Sequence, residues 1–223
     1  ISLAGGMQVQ KKVAENWQIV TDCVLSVGYG LSETSPAACI DPIGSKEFSD
    51  SLGLPLPSTE ISIQDNEGNH LDFNQPGEIC IRGPQVMKGY WNNPEETNNV
   101  ITSDGWFKTG DIGIMNEEGY PKIVDRKKDM IIVSGFNVYP NEIEEVSMLN
   151  EKIFEAGCIG IQDKDGNENI KLFISKVPGE ELTSTEVIEH CKKYLTGYKI
   201  PKFVEFIEEI PKSNVGKILR RKL

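Results

Sequence analysis

The sequence predicts an α/β segment that runs into a β-rich, barrel-like or curled sheet, followed by a small α+β domain. Three observations carry this. A helical apolar period leads directly into a buried strand, the rhythm of an α/β sheet. A long stretch of short strands separated by turn residues then replaces it. Finally, residues 1–125 hold 7 basic and 18 acidic side chains, a net of −11, whereas residues 126–223 hold 16 of each. A charge shift of this kind marks a domain boundary.

The first helix is expected over residues 8–20, where Val9, Val13, Trp17 and Val20 fall on one helical face. Residues 23–27 read as a short buried strand that stops at Gly28-Tyr29-Gly30. Strands follow at 60–64, 77–82 and 119–124, with Glu67-Gly68, Pro76-Gly77 and Glu118-Gly119 supplying turns. Arg126, Lys127, Lys128 and Asp129 form the boundary. Beyond it, 130–133 is a strand, and Pro140 opens a short helix through Ile143, Val146 and Leu149. Residues 158–162 and 171–177 read as strands, and 203–210 as the last one. Thr183 with Glu186 makes a capping box ahead of a helix whose stripe is Val187, Ile188, Cys191, Tyr194 and Leu195. Gly197 ends that helix.

Of the 223 residues, 38% are hydrophobic and 26% charged, the mix of a soluble globular protein. No run approaches the roughly 18 apolar residues of a membrane span. The acidic first part would repel a duplex, so nucleic acid is excluded as a partner. From residue 192 to the end there are 9 basic and 3 acidic residues, which leaves a local anion site open. Cys23, Cys39, Cys80, Cys158 and Cys191 have no zinc-like spacing and read as reduced, mostly buried thiols of a cytosolic protein. The two histidines, His70 and His190, have no partner in the sequence pattern, which argues against a Ser-His-Asp or Cys-His enzyme.

Several short motifs carry chemistry, each with a plainer alternative. Lys217, in Ser213-Asn214-Val215-Gly216-Lys217, is a reaching cation suited to phosphate oxygens, or part of a frayed basic terminus. Asp111, after Thr109-Gly110, is a carboxylate able to grip a diol, or part of an ordinary Gly-Asp turn. The run Gly28-Tyr29-Gly30-Leu31-Ser32-Glu33-Thr34 follows a buried strand, where α/β sheets bind ligands. Glu33 suits Mg²⁺, or is simply a carboxylate near a helix start. The charge run at 126–129 is a hinge or a solvated face. Gly135 serves a tight turn or a close ligand contact.

In this order, the motifs resemble the adenylate-forming superfamily, most closely its long-chain fatty acyl-CoA synthetases. The matching text is Gly28-Tyr29-Gly30-Leu31-Ser32-Glu33, the run DGWFKTGDIGIMNEEGYPKIVDRKKDMIIVSGFNVYPNEIEE at 104–145, and PKSNVGKILRRKL at 211–223. The resemblance implies a ligase that joins a carboxylate to the α-phosphate of ATP, then exchanges AMP for coenzyme A. By match to the family's motifs, Gly5, Gly6 and Met7 would line an adenine pocket with Tyr29, Gly30 and Leu31. Ser32 would touch the α-phosphate, Glu33 would hold Mg²⁺, and Asp111 and Arg126 would bind the ribose. Lys217 would act in the first step only. Lys128 would be the hinge of a mobile C-terminal domain, 126–223, whose Ser134, Gly135 and Phe136 would form the coenzyme A channel. Residues 1–125 would be the end of the large AMP-binding domain. The family's upstream phosphate loop is absent from these residues, so the chain is expected to be the C-terminal part of a longer enzyme, inactive alone or a binding module. The acyl pocket lies mostly upstream, so an aryl or medium-chain acid, or an adenylation domain, fits the same motifs. The reduced cysteines place the enzyme in the cytoplasm. The basic tail would also suit the inner face of an anionic membrane. Oligomeric state is not written in these motifs.

Overall fold

The structure, a computed structural model, describes residues 1–6, 9, 11–214 and 216–223, and of Lys12 the backbone only. Two compact units emerge, Ile1–Val124 and Asp125–Leu223.

In the first unit, β1 (Ser2–Gly5) and β2 (Leu25–Tyr29) are parallel, joined through α1 (Lys11–Thr21). Short strands β3 (Cys39–Ile40) and β4 (Leu54–Pro55) extend the sheet antiparallel to β2. The expected strand at 23–27 is therefore displaced, and it includes Gly28 and Tyr29. Gly28 pairs with Gly5 on one side and Ile40 on the other, so the ladder continues through it. The second sheet runs β5 (Glu60–Gln64), β6 (Gly77–Arg82), β7 (Phe107–Met115) and β8 (Pro121–Arg126) in sequential order. Among the described residues this order does not return from β8 to β5, so it is an open four-stranded sheet. One apolar cluster joins the two sheets: Tyr29, Ala38, Cys39 and Leu52 from the first meet Ile63, Ile79 and Ile81 from the second.

Two elements depart from the expected run of short strands. Helix α2 (Pro94–Val100) is capped by Asn93, whose Oδ1 accepts from the Glu96 N–H at 3.2 Å. None of its residues is buried, so it shows no apolar period. The Gly110-Asp111 pair lies inside β7, not at a turn. The ladder pairs Glu78 with Ile112 but Cys80 with Lys108, so residues 109–111 face the single residue Ile79. This is a bulge, and Gly110, with φ of 73°, makes it.

In the second unit, β9 (Ile131–Val133) and β10 (Phe136–Val138) form a hairpin where a loop was expected. Its turn residues Ser134 and Gly135 both have positive φ, as a two-residue hairpin turn needs. Helix α3 (Pro140–Met148) follows. The sheet orders β11 (Ile153–Gln162), β12 (Glu168–Lys176) and β13 (Phe203–Phe206), with β13 parallel to β12. Strand β11 begins earlier than expected because Ile153, Ala156 and Cys158 all enter the core. Helix α4 (Ser184–Lys192) adds Val187 and Cys191 to that core.

The capping box of α4 is formed. The Thr183 N–H donates to Glu186 Oε2 at 2.8 Å, and the Glu186 N–H donates to Thr183 Oγ1 at 3.3 Å. Thr183→Ala is expected to lower stability by about 1 kcal/mol, and Thr183→Ser by much less. Urea midpoints of the two variants and the parent check this; equal losses from both would place the cost elsewhere.

Candidate functional site

Parallel pairing of β1 and β2 brings two glycine-rich strand ends side by side. Gly5 is in register with Gly28, and Gly6, with φ of 85°, follows directly after the strand. A Cβ at Gly5 would lie 2.9 Å from the Gly28 carbonyl oxygen, so close approach of the two backbones requires glycine there. This is the carboxyl end of a parallel pair, where open α/β sheets bind ligands. Met7 lies outside the described residues.

Tyr29 then reaches across to the second sheet. Its hydroxyl donates to Asp111 Oδ2 at 2.8 Å, and both residues are buried. Burial, and then the Asp111 charge, push the Tyr29 phenol well above its ordinary pKa. It therefore remains a donor. Two residues that sequence reading missed fix the bulge that aims Asp111. Thr109 Oγ1 donates to the Ile79 carbonyl at 2.8 Å and accepts from the Asp111 N–H at 3.1 Å. The buried Glu78 accepts from the Gly110 N–H through Oε1 at 3.0 Å. The only signal for them was position: Thr109 adjoins Gly110, and Glu78 lies in the neighbouring strand.

Ser32 and Glu33 sit on a single 3₁₀ turn (Ser32–Thr34) directly after β2, preceded by Gly30 and Leu31. Thr34, fully buried, ties the turn. Its Oγ1 accepts from the Leu31 N–H at 2.9 Å and lies 2.9 Å from the Pro36 carbonyl. Ser32 is left exposed. Glu33 is half-buried, and its Oε1 accepts from the Tyr90 hydroxyl at 2.9 Å. Burial first, then Glu33, raises the Tyr90 phenol to about 12. Tyr90 was also missed, since 57 residues separate it from its partner. Among the described residues no group of three or more acidic, His or Cys side chains could cage a metal. A lone carboxylate beside phosphate oxygens is how Mg²⁺ is commonly held, so Glu33 fits that ion.

The other predicted residues belong to the second unit. Arg126 is half-buried at the end of β8. Lys128 is exposed on the 3₁₀ turn Lys127–Asp129. Asp125 anchors the start of this segment: it accepts from the Arg126 N–H at 2.6 Å and from the Asn141 N–H at 2.8 Å. Ser134, Gly135 and Phe136 are exposed at the hairpin tip, where Phe136 stacks on Tyr198 with centroids 4.7 Å apart.

Lys217 does not sit on a frayed end. The Leu219 N–H donates to the Pro211 carbonyl at 2.8 Å and the Ser213 N–H to the Lys217 carbonyl at 2.8 Å. Lys212 bridges Ile218, and Gly216 takes φ of 84°. The loop is thus a closed hairpin presenting an exposed Lys217; Val215 lies outside the described residues. Both histidines also have partners that the sequence pattern did not show. His70 Nδ1 lies 2.6 Å from Ser62 Oγ, and His190 Nε2 lies 2.9 Å from the Val146 carbonyl.

Comparisons with known proteins converge on one family. Residues 1–91 match the model described as AMP-binding enzyme, and residues 142–217 match the AMP-binding enzyme C-terminal domain. A long-chain-fatty-acid–CoA ligase of Yersinia pestis is 53% identical over 223 residues, all of this chain and 39% of the relative. The enzyme of the same name from Escherichia coli O157:H7 is 50% identical over the same span. The chain thus spans about two fifths of the length of these curated relatives. Among solved structures, ATP-bound MatB from Rhodopseudomonas palustris superposes with a TM-score of 0.93 at 29% identity, covering 99% of this chain and 44% of MatB.

Proposed function

The chain belongs to the AMP-binding enzyme family, and from that premise we propose that it forms part of an AMP-forming long-chain fatty acid–CoA ligase. The observation that carries this reading is the juxtaposition at the carboxyl ends of β1 and β2. Gly5, Gly6 and Tyr29 offer a flat, close-approach surface for adenine, and Tyr29 holds Asp111 at 2.8 Å on the bulge. Asp111 would accept from the ribose hydroxyls and Arg126 would donate to them. Ser32 would meet the α-phosphate. Glu33, steadied by Tyr90, would hold Mg²⁺, which supplies charge neutralisation at the phosphates when bound. Lys217 would place its ammonium where the carboxylate meets the α-phosphate. Ser134, Gly135 and Phe136 would line the coenzyme A path in the second step, after a swing about Lys128. One site must accept pyrophosphate chemistry and later a thiol, and changing its lining meets both needs.

Among the described residues no helix is long and apolar enough to cross a membrane. We place the enzyme in the cytoplasm, with its basic C-terminal residues suited to an anionic membrane face as well as to phosphate.

The test is acid-dependent ATP–pyrophosphate exchange in a polypeptide of the relatives' full length, across long-chain, medium-chain and aryl acids. Long-chain acids are expected to give the highest kcat/KM. Preference for an aryl acid, or exchange with amino acids only, would overturn the substrate assignment while keeping the family.

A further inference from the structure

The Lys217 loop and the 3₁₀ turn at Lys127–Asp129 are 88 positions apart in sequence, yet a side chain that follows the loop directly along the backbone reaches the turn. Arg220 lies three residues beyond Lys217. Its Nη1 donates to Asp129 Oδ2 at 3.3 Å, its Nη2 to Asn141 Oδ1 at 2.6 Å and to both Glu144 carboxylate oxygens at 2.8 and 3.0 Å, and its Nε to Glu144 Oε1 at 3.3 Å. The guanidinium is only 13% exposed and the Glu144 side chain 10%. Glu144 Oε1 also accepts from the Cys158 N–H at 2.8 Å, so the cluster is fastened to β11 as well as to α3. The only residues between Lys217 and Arg220 are Ile218 and Leu219. Both are held back onto the loop's first strand, at Lys212 and Pro211. There is little slack between the anchor and the cation.

Such a cluster is a poor choice for stability alone. Burying ions carries a desolvation penalty that apolar packing avoids, and swapping a buried ion pair for apolar residues is often neutral. Burial accordingly pushes the Glu144 carboxyl up, to about 7, against the pull of Arg220. Directional, multi-armed contact is what arginine provides and an apolar residue cannot.

We propose that Arg220 is a positioning residue that locks the Lys217 loop to the hinge turn, so that the two move as one body. This rests on the reading of Lys217 and of Lys128 given above. It goes beyond that reading by naming how the motion at the hinge is delivered to the cation. Without the lock the hinge still turns, but Lys217 arrives misplaced. Adenylation then suffers, whereas the thioester step, which would use the hairpin tip at 134–136, does not.

The test uses the full-length enzyme with Arg220→Met/Glu144→Met, which keeps the buried space filled and removes both charges together. Acid-dependent ATP–pyrophosphate exchange is expected to lose about 10- to 100-fold in kcat, the scale of an ångström-sized misplacement. Thioester formation from supplied acyl-adenylate should stay close to the parent's, while the thermal midpoint falls somewhat because the buried Cys158 N–H loses its acceptor. Arg220→Lys, which keeps a cation near Glu144 but loses the multi-armed fork that reaches Asp129 and Asn141, should show a smaller loss of the same pattern and covers the case of a double variant that does not fold. Wild-type exchange in either folded variant overturns the lock. So does an equal loss in both half-reactions. Lys217→Ala is measured alongside: if it exchanges normally, it is the reading of Lys217 that fails, whatever the Arg220 variants do.

Discussion

Lys217→Ala in the full-length enzyme is expected to slow adenylation by about 100- to 1000-fold, roughly 3–4 kcal/mol of lost transition-state stabilisation. Thioester formation from supplied acyl-adenylate should be largely intact. The asymmetry follows from where the lysine sits. Its loop is closed by backbone hydrogen bonds at both Pro211 and Ser213, so the side chain is presented from a firm base and not from a loose end. Lysine is a compact point charge, matched to oxygens on which negative charge accumulates as a carboxylate attacks phosphorus. In the proposed cycle, the swing about the hinge would take it away once acyl-AMP has formed. Arginine at this position would keep the charge but not its shape, and should recover little. Half-reactions measured separately decide the matter, and equal losses in the two would remove Lys217 from the first step.

Gly30→Ala is expected to cost roughly 3 kcal/mol of stability, at the upper end of what overpacking does, and to abolish nucleotide-dependent exchange. A Cβ there would stand 1.8 Å from the Pro36 carbonyl oxygen and 2.8 Å from Ala37 Cα. Neither can retreat cheaply. The Ala38 N–H donates to the Tyr29 carbonyl at 2.8 Å, and Thr34 Oγ1 lies 2.9 Å from the Pro36 oxygen. Relief of the clash must therefore move the turn that carries Ser32 and Glu33, or the strand end that carries Tyr29. Gly28→Ala is the matched comparison two residues away, since its nearest neighbour is the Leu3 side chain at 3.5 Å. It should cost well under half as much. Urea unfolding of the three proteins gives the answer, and similar midpoints for the two variants would mean that the turn is softer than its hydrogen bonds indicate.

Much of the architecture was legible because strong local signals agreed with the fold. The helix at 183–195 declared itself through a capping box, which is present, and an apolar stripe, of which Val187, Cys191 and Leu195 enter the core while Tyr194 is exposed and the helix stops at Lys192. Strands β5 and β6 alternate between clear turn residues and fall where the pattern put them. The misses have physical reasons. Gly110-Asp111 carries the composition of a turn, but tertiary pairing with β6 uses the same flexibility to bulge a strand. Helix α2 buries nothing, so its period is silent. Within the candidate site, the residues proposed to face the ligand were readable from motifs, whereas Thr34, Glu78, Tyr90, Thr109 and Arg220 were not. Thr34 and Thr109 act on near neighbours through hydrogen bonds that only the folded turn and bulge create, whereas Glu78, Tyr90 and Arg220 lie 32, 57 and 76 residues from Gly110, Glu33 and Glu144. Contacts of that kind are properties of the fold, and a local pattern cannot hold them.

The central claim is a ligase that passes through an acyl-adenylate. The most direct measurement is a quench of the full-length enzyme with a long-chain fatty acid, ATP and Mg²⁺, without coenzyme A, followed by mass spectrometry of the bound products. The account predicts fatty acyl-AMP and pyrophosphate on the enzyme, converted to fatty acyl-CoA and AMP when coenzyme A is added. Formation of ADP and an acyl phosphate, or of no acyl nucleotide while thioester is still made, would contradict it.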